Sequence, residues 1–196
     1  MIPVTRSGRP RASSREVLAE AACELFLERG YEATSVADIT SRAGVSRSSF
    51  FNYFSSKGDV LWAAFDERIA ALIEKLEADT GSDAASAVRS GIAAIGDDLE
   101  PESLALAIAN ATAMGIELEL ERESAMRRAR IASAVAARLR RGGDDALRAE
   151  VLAAAYAGAV LAAVERWAHE GPGRTALSGV LDRALAVVAT LPTAAS

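Results

Sequence analysis

Arg47, Ser48, Ser49, Phe51 and Asn52 fall in one stretch, "AGVSRSSFFNYFSSKGD" at residues 43–59, which also holds three of the chain's five phenylalanines and one of its three tyrosines. These residue types can read the major groove of a duplex. Arg bonds guanine O6 and N7, Asn bonds adenine N6 and N7, Ser bonds a base or a phosphate, and an aromatic edge meets the thymine methyl. On a helix that advances about 100° per residue, with Phe50 at zero, Phe54 falls at about +40° and Tyr53 at about −60°, whereas Ser48 and Asn52 fall at roughly 160° and 200°. Phe50 and Phe54 therefore point inward. Ser48, Ser49, Phe51 and Asn52 occupy the outer half, and Arg47 reaches outward from the first turn.

Such a face needs a frame of helices, and the surrounding punctuation supplies one. Apolar residues recur at three- and four-residue spacing, with Pro and Gly confined to breaks, so the fold class is all-α with about nine helices, no strands and no internal repeat. A first helix is expected from Ser14 to Arg29, stopping at Gly30. Ser35 to Asp38 forms a capping-box pattern that opens a short second helix, which ends at Gly44. Ser46 caps a third through Phe54, and "Ser56-Lys57-Gly58-Asp59" opens a long fourth reaching about Ala78. Further helices are expected at about 83–96, 101–113, 117–141, 144–170 and 174–190. Two short helices about a glycine turn, the second presenting the outward set, make a helix-turn-helix.

On these residues the chain is identified as a member of the TetR family of transcriptional regulators. "Phe26…Gly30-Tyr31", "Thr34-Ser35-Val36" with Ile39, "Ala43-Gly44-Val45-Ser46" and "Tyr53-Phe54" with Lys57 resemble that family's N-terminal DNA-binding domain. The resemblance implies that Arg47, Ser48, Ser49, Phe51 and Asn52 face the groove and that Tyr53 and Lys57 grip phosphates. Ser35 and the helix-two N-terminus add further phosphate contacts. The family usually has Tyr at Phe51, Ala at Thr40 and Glu at Gly58, and the first of these departures removes a hydroxyl contact. Around it, "SRSSFFNYFSSKGDVLW" and "FDERI" resemble the actinobacterial branch that includes mycofactocin-system regulators, whose ligands are acyl-coenzyme A compounds.

The net charge of −5 argues at first against a nucleic-acid partner, but residues 1–57 hold 8 Lys/Arg and 6 Asp/Glu, against 14 and 21 in the remainder. Within the first fifteen residues Arg6, Arg9, Arg11 and Arg15 precede any acid, and the basic arm is expected over 1–13. Charge alone leaves a merely solubilising tail as the other reading. In "Ser7-Gly8-Arg9-Pro10-Arg11" the extended Arg-Pro unit suits a narrow minor groove through Arg9 or Arg11. The domains then expected are the arm, a DNA-binding domain over 14–58 and a ligand-binding and dimerisation domain over 59–196.

At 196 residues and 51% hydrophobic the chain has material for one or two ordered domains. Cys23 is the only cysteine, the N-terminus shows no secretory leader, and cytoplasmic localisation is expected. The apolar run Val151 to Val164 is 14 residues, short of a span of about 20, and reads as a buried helix with no membrane partner. No catalytic or metal constellation and no cofactor motif is present. His169, the single histidine, lies near a helix end and reads as bonding terminal carbonyls. Glu117, Glu119 and Glu121, followed by Arg122, Arg127, Arg128 and Arg130, read as a salt-bridged helix face or as the basic mouth of a pocket.

Ala155, Gly158, Ala159 and Ala162 permit close helix approach, and Leu177, Leu181 and Leu185 form a stripe on the last helix. In the resembling family these two helices build a four-helix dimer interface. The family's C-terminal domain also encloses a small molecule, here a hydrophobic effector of acyl-coenzyme A type. Its expected lining is Trp62, Phe65, Leu106 and Met114 with Leu118, Met126, Tyr156 and Trp167. An all-helical interaction protein without DNA binding is the alternative, and the Arg47, Asn52, Tyr53 and Lys57 set argues against it.

Overall fold

A computed structural model describes residues 14–81, 83–97, 103–171 and 173–190. Among them lie ten α-helices and no strand: α1 (Ser14–Arg29), α2 (Val36–Ala43), α3 (Arg47–Phe51), α4 (Asp59–Ala78), α5 (Ala84–Ala93), α6 (Ser103–Ala109), α7 (Ala111–Met114), α8 (Glu117–Arg141), α9 (Ala146–Glu170) and α10 (Leu177–Ala189). A 3-10 turn at Ala94–Gly96 follows α5.

The chain's local signals place the first three helices. Gly30, at φ 83°, lets the backbone leave α1 in a conformation that a Cβ would strain. Ser35 caps α2 by accepting from the Asp38 N–H while the Asp38 carboxylate accepts from the Ser35 N–H at 2.9 Å. Gly44 ends α2 at φ 67°, and the Ser46 side chain caps α3 through the Ser49 N–H at 3.1 Å. Phe26, Ile39, Phe50 and Phe54 are buried together with Leu18 and Leu25. Phe50 meets Phe54 with ring centroids 5.3 Å apart.

α4 carries this core into the second half. Val60 and Leu61 belong to the same buried cluster as Phe65, Ile69, Leu72 and Leu76 further along the helix. α8 and α9 form a long hairpin about the Gly142-Gly143 turn, and α10 and α6 pack on α9. α9 is long and apolar enough to cross a membrane by length and composition. Its Ala153, Tyr156, Ala157, Val160, Val164 and Trp167 are buried inside the bundle, as expected of a core helix.

Three expected boundaries differ. The helix expected at 101–113 is two, broken at Asn110, whose side chain donates back to the Leu106 carbonyl at 2.9 Å. α3 stops at Phe51, with Asn52 and Tyr53 in the turn behind it. α4 has no side-chain cap at Gly58, and the reciprocal bonds sit just outside the helix, Asp59 N–H to Ser56 Oγ at 3.1 Å and Ser56 N–H to Asp59 Oδ2 at 3.0 Å.

Candidate nucleic-acid interface and ligand cavity

α3 is buried on one side and bare on the other. Phe50 is fully buried, Phe54 nearly so, while Arg47, Ser48, Phe51, Asn52 and Tyr53 are exposed and Ser49 is half-buried. Phe51 is 49% exposed although it packs edge-on against Phe50 at 5.3 Å. The Arg47 guanidinium lies 5.6 Å from the Phe51 ring centroid, so cation and aromatic form one outward patch. Ser46 Oγ is 2.8 Å from both Ser48 Oγ and Ser49 Oγ, which leaves the Ser48 and Ser49 hydroxyls each a further donor or acceptor position. Together these groups can do hydrogen-bond and apolar readout of base edges.

Two of the expected phosphate ligands are already engaged. Lys57 Nζ donates to the Tyr31 carbonyl at 2.7 Å and the Thr34 carbonyl at 3.1 Å, and lies 4.0 Å from the Tyr31 ring centroid. One ammonium proton is left for a phosphate. The Ser35 hydroxyl is bonded to the Asp38 carboxylate, which Ser35 itself holds below the usual carboxylate range. An anion approaching that helix N-terminus meets a carboxylate as well as N–H groups. Tyr53, half-exposed, keeps its hydroxyl free of any bond to the described residues. Arg9 and Arg11, with the rest of the expected arm, lie outside the described residues.

A cavity of about 690 Å³ opens between α4, the α6–α7 break, α8 and α9. Trp62 forms its floor; Ile108, Leu120, Leu161 and Val164 give an apolar wall. Glu117, Glu121, Ser124 and Arg128 follow one stripe of α8, and Gly158, Ala162, Glu165 and His169 the facing stripe of α9. Of the expected lining only Trp62 is among its walls. Phe65, Met114, Tyr156 and Trp167 are buried in the core, the last donating its indole N–H to the Thr175 carbonyl at 2.9 Å. Leu106, Leu118 and Met126 are exposed. His169, expected to bond terminal carbonyls, instead lines this cavity and is exposed.

The α8 charges divide differently from the expected ladder. Along that helix Glu123 and Arg127 are the opposite pair at i,i+4 that closes, because Glu117 faces Glu121 and Glu119 faces Glu123 at that spacing. Arg127, 4% exposed, also bonds Asp66 of α4 and stacks on Trp62 with its guanidinium carbon 4.3 Å from the ring centroid. Arg130 meets the same Asp66 at 2.9 Å. Of the expected basic mouth, Arg128 alone is in the cavity wall.

The stripes proposed for association also separate. Leu177, Leu181 and Leu185 are buried within the chain, whereas Ala155 and Ala159 are half-buried. Gly158 and Ala162 border the cavity. The large exposed apolar side chains of these helices are Leu147 and Val151 on α9 and Val187 on α10, between 59% and 70% exposed.

Residues 18–64 match the family model for bacterial regulatory proteins of the tetR family, and residues 119–191 match the MftR C-terminal domain. The chain is 39% identical over 71 residues to the HTH-type transcriptional repressor DhaR of a Mycobacterium species, covering 34% of this chain and 36% of that protein. It spans about a third of the length of such sequence relatives. A solved chain described as a TetR-family transcriptional regulator from Syntrophomonas wolfei superposes with a TM-score of 0.61 at 15% identity, over 93% of this chain and 98% of that one. The transcriptional regulator FadR of Bacillus subtilis, solved in complex with stearoyl-CoA, gives a TM-score of 0.56 at 20% identity, over 89% and 97%. At these identities the structural likeness is one of fold.

Proposed function

The chain belongs to the TetR family of bacterial regulatory proteins, and from that premise we propose that it is a cytoplasmic, homodimeric repressor that reads an inverted-repeat operator and responds to a small-molecule effector. The observation that carries this reading is the split of α3 and the turn behind it into a buried Phe50/Phe54 underside and an exposed Arg47, Ser48, Phe51, Asn52 and Tyr53 face. A two-fold dimer presents two such faces, and half-sites must then lie about one turn, or a multiple, apart. The arm at 1–13 adds minor-groove contacts through Arg9 and Arg11, residues 14–58 form the DNA-binding domain, and residues 59–196 hold effector and partner.

Association uses the α9–α10 face that carries Leu147, Val151 and Val187. On α10 Gly179, outside the cavity wall, has open space where a Cβ would stand. Glycine inside a helix costs up to about 1 kcal/mol against alanine, and close approach of a second helix offsets it. The effector occupies the 690 Å³ cavity. An acyl-CoA, as held by the Bacillus FadR, would bring phosphates to a wall with Arg128 as its one guanidinium. Selection of bound duplexes from a random pool tests the central claim: enrichment of a two-fold symmetric sequence is expected, and enrichment of none overturns it.

A further inference from the structure

We infer that the cavity takes an organic cation with an apolar body, such as an alkylammonium, rather than an anionic amphiphile. The inference rests on the ligand-responsive reading just given and names the chemistry of that same site. The volume of about 690 Å³ and the Trp62, Ile108, Leu120, Leu161 and Val164 wall define the site and suit an apolar body. The polar lining decides its sign. Three carboxylates, Glu117, Glu121 and Glu165, face one guanidinium, Arg128.

Position sharpens that imbalance. Glu117 and Glu121 stand one turn apart on α8, and the antiparallel α8–α9 hairpin brings Glu165 and His169 of α9 back to that same end. Arg128 lies seven residues beyond Glu121, about 10 Å along the axis at 1.5 Å per residue. Among the described residues none of the three carboxylates enters an ion pair, whereas Arg127, Arg130 and Arg138 are matched by Asp66, Glu123 and Asp79 outside the cavity. Unmatched like charges repel one another and attract a cation. No three His, Cys, Asp or Glu groups among the described residues stand close enough to hold a metal ion. A delocalised organic head does not need the close ligand set that a metal ion requires.

Calorimetric titration of the full chain tests this with decyltrimethylammonium, decanol, decanoate and lauroyl-CoA, each below its micelle concentration. Affinity is expected to fall in the order ammonium, alcohol, carboxylate. A triple variant, Glu117→Gln with Glu121→Gln and Glu165→Gln, should bind the ammonium about tenfold more weakly, since three exposed charge pairs are lost together. All three glutamates are exposed, and an unchanged urea midpoint confirms that the variant folds. Tighter binding of decanoate or lauroyl-CoA, absence of ammonium binding, or an unchanged affinity in the variant overturns the inference. The same preparations are assayed on selected DNA. Operator binding without ammonium binding sinks the ligand class alone, and ammonium binding without operator binding supports the ligand class while sinking the regulator reading.

Discussion

The Tyr31 hydroxyl donates a 2.9 Å hydrogen bond to Glu119 Oε1, joining the end of α1 to the first turn of α8 across 88 positions of sequence. Beside it the Tyr31 N–H donates to the Met114 carbonyl at 2.8 Å, so one residue holds both ends of the α7–α8 turn. Gly58 fits into this junction: a Cβ there would stand 3.0 Å from Glu119 Oε1 and 3.1 Å from the Tyr31 hydroxyl. A side chain at position 58 would therefore have to shift Glu119 or the Tyr31 hydroxyl by a few tenths of an ångström. Burial and the adjacent carboxylate push the Tyr31 phenol well above its ordinary range, so it remains a donor at any working pH.

Removing the donor should therefore cost stability while leaving the ring packing intact. Tyr31→Phe is expected to lower unfolding free energy by about 1 kcal/mol, and Glu119→Ala by a similar amount. The double variant should lose less than the sum, because the two share one bond. Urea titration of the four proteins gives the cycle, and strict additivity would remove the bond from the account.

Lys57→Ala should weaken both folding and DNA binding. Two of its protons serve the Tyr31 and Thr34 carbonyls and its charge sits on the Tyr31 ring, so a loss of about 1–3 kcal/mol in stability is expected. If the remaining proton meets phosphate, the slope of log affinity against log salt falls by about one. Tyr53→Phe should weaken specific and random DNA alike with no change in the urea midpoint. An unaltered salt slope for Lys57→Ala would confine that residue to a structural role.

Arg47→Ala and Asn52→Ala should each cost about 1–3 kcal/mol on the operator and little on random DNA, since base-edge contacts carry the discrimination. Footprinting should place the relaxed positions symmetrically in an inverted repeat. An Asn52→Ala protein with unchanged sequence preference would take base reading away from α3.

Val151→Asp with Val187→Asp should yield a folded monomer, because both side chains are exposed in the single chain and the proposed dimer would bury them. Leu181→Asp, by contrast, places a charge at a fully buried position and should unfold the chain. Sedimentation and circular dichroism separate the two outcomes; a dimer that survives the double change moves the interface elsewhere.

Acid should unfasten the end of α4. Arg138, 1% exposed, donates to Asp79 Oδ1 and to the Gly81 carbonyl, each at 2.7 Å, and chiefly holds the Asp79 carboxyl below its usual range. A carboxylate with a depressed folded pKa contributes stability that is present above its unfolded value of about 3.9 and is lost as pH falls through the folded value. Asp79→Asn should thus be less stable than the parent at pH 7, with the two curves converging in acid. Parallel curves across that range would show the pair contributes nothing.

The first three helices were legible because their signals are local. Ser35 with Asp38, Gly30, Gly44 and Ser46 act through bonds and backbone angles within four residues, and each works as its type requires. The cavity was less legible because the expected lining was chosen by side-chain size. Large side chains such as Phe65, Met114 and Trp167 fill space, and the walls that leave space are small or charged, Ala109, Thr112, Gly158 and Glu165 among them. A signal was nevertheless available in Glu117 and Glu121, like charges one helical turn apart with no opposite charge at that spacing. The Leu177, Leu181 and Leu185 stripe announced a covered face without saying what covers it, and α9 of the same chain does. Stripe periodicity reports burial and is silent on which molecule supplies the cover.

Over residues 47–54, α3 and the turn behind it, the side chains that fold the domain differ from those proposed to read DNA. Phe50 and Phe54 belong to the core, while Arg47, Ser48 and Asn52 make only local contacts and anchor nothing distant. Substitutions at the outer positions therefore leave the domain's stability nearly untouched, with surface changes of this kind within about 0.5 kcal/mol. A gene duplicate can accordingly drift to a new operator one side chain at a time, every intermediate remaining folded, which gives the scaffold a cheap route to diversification.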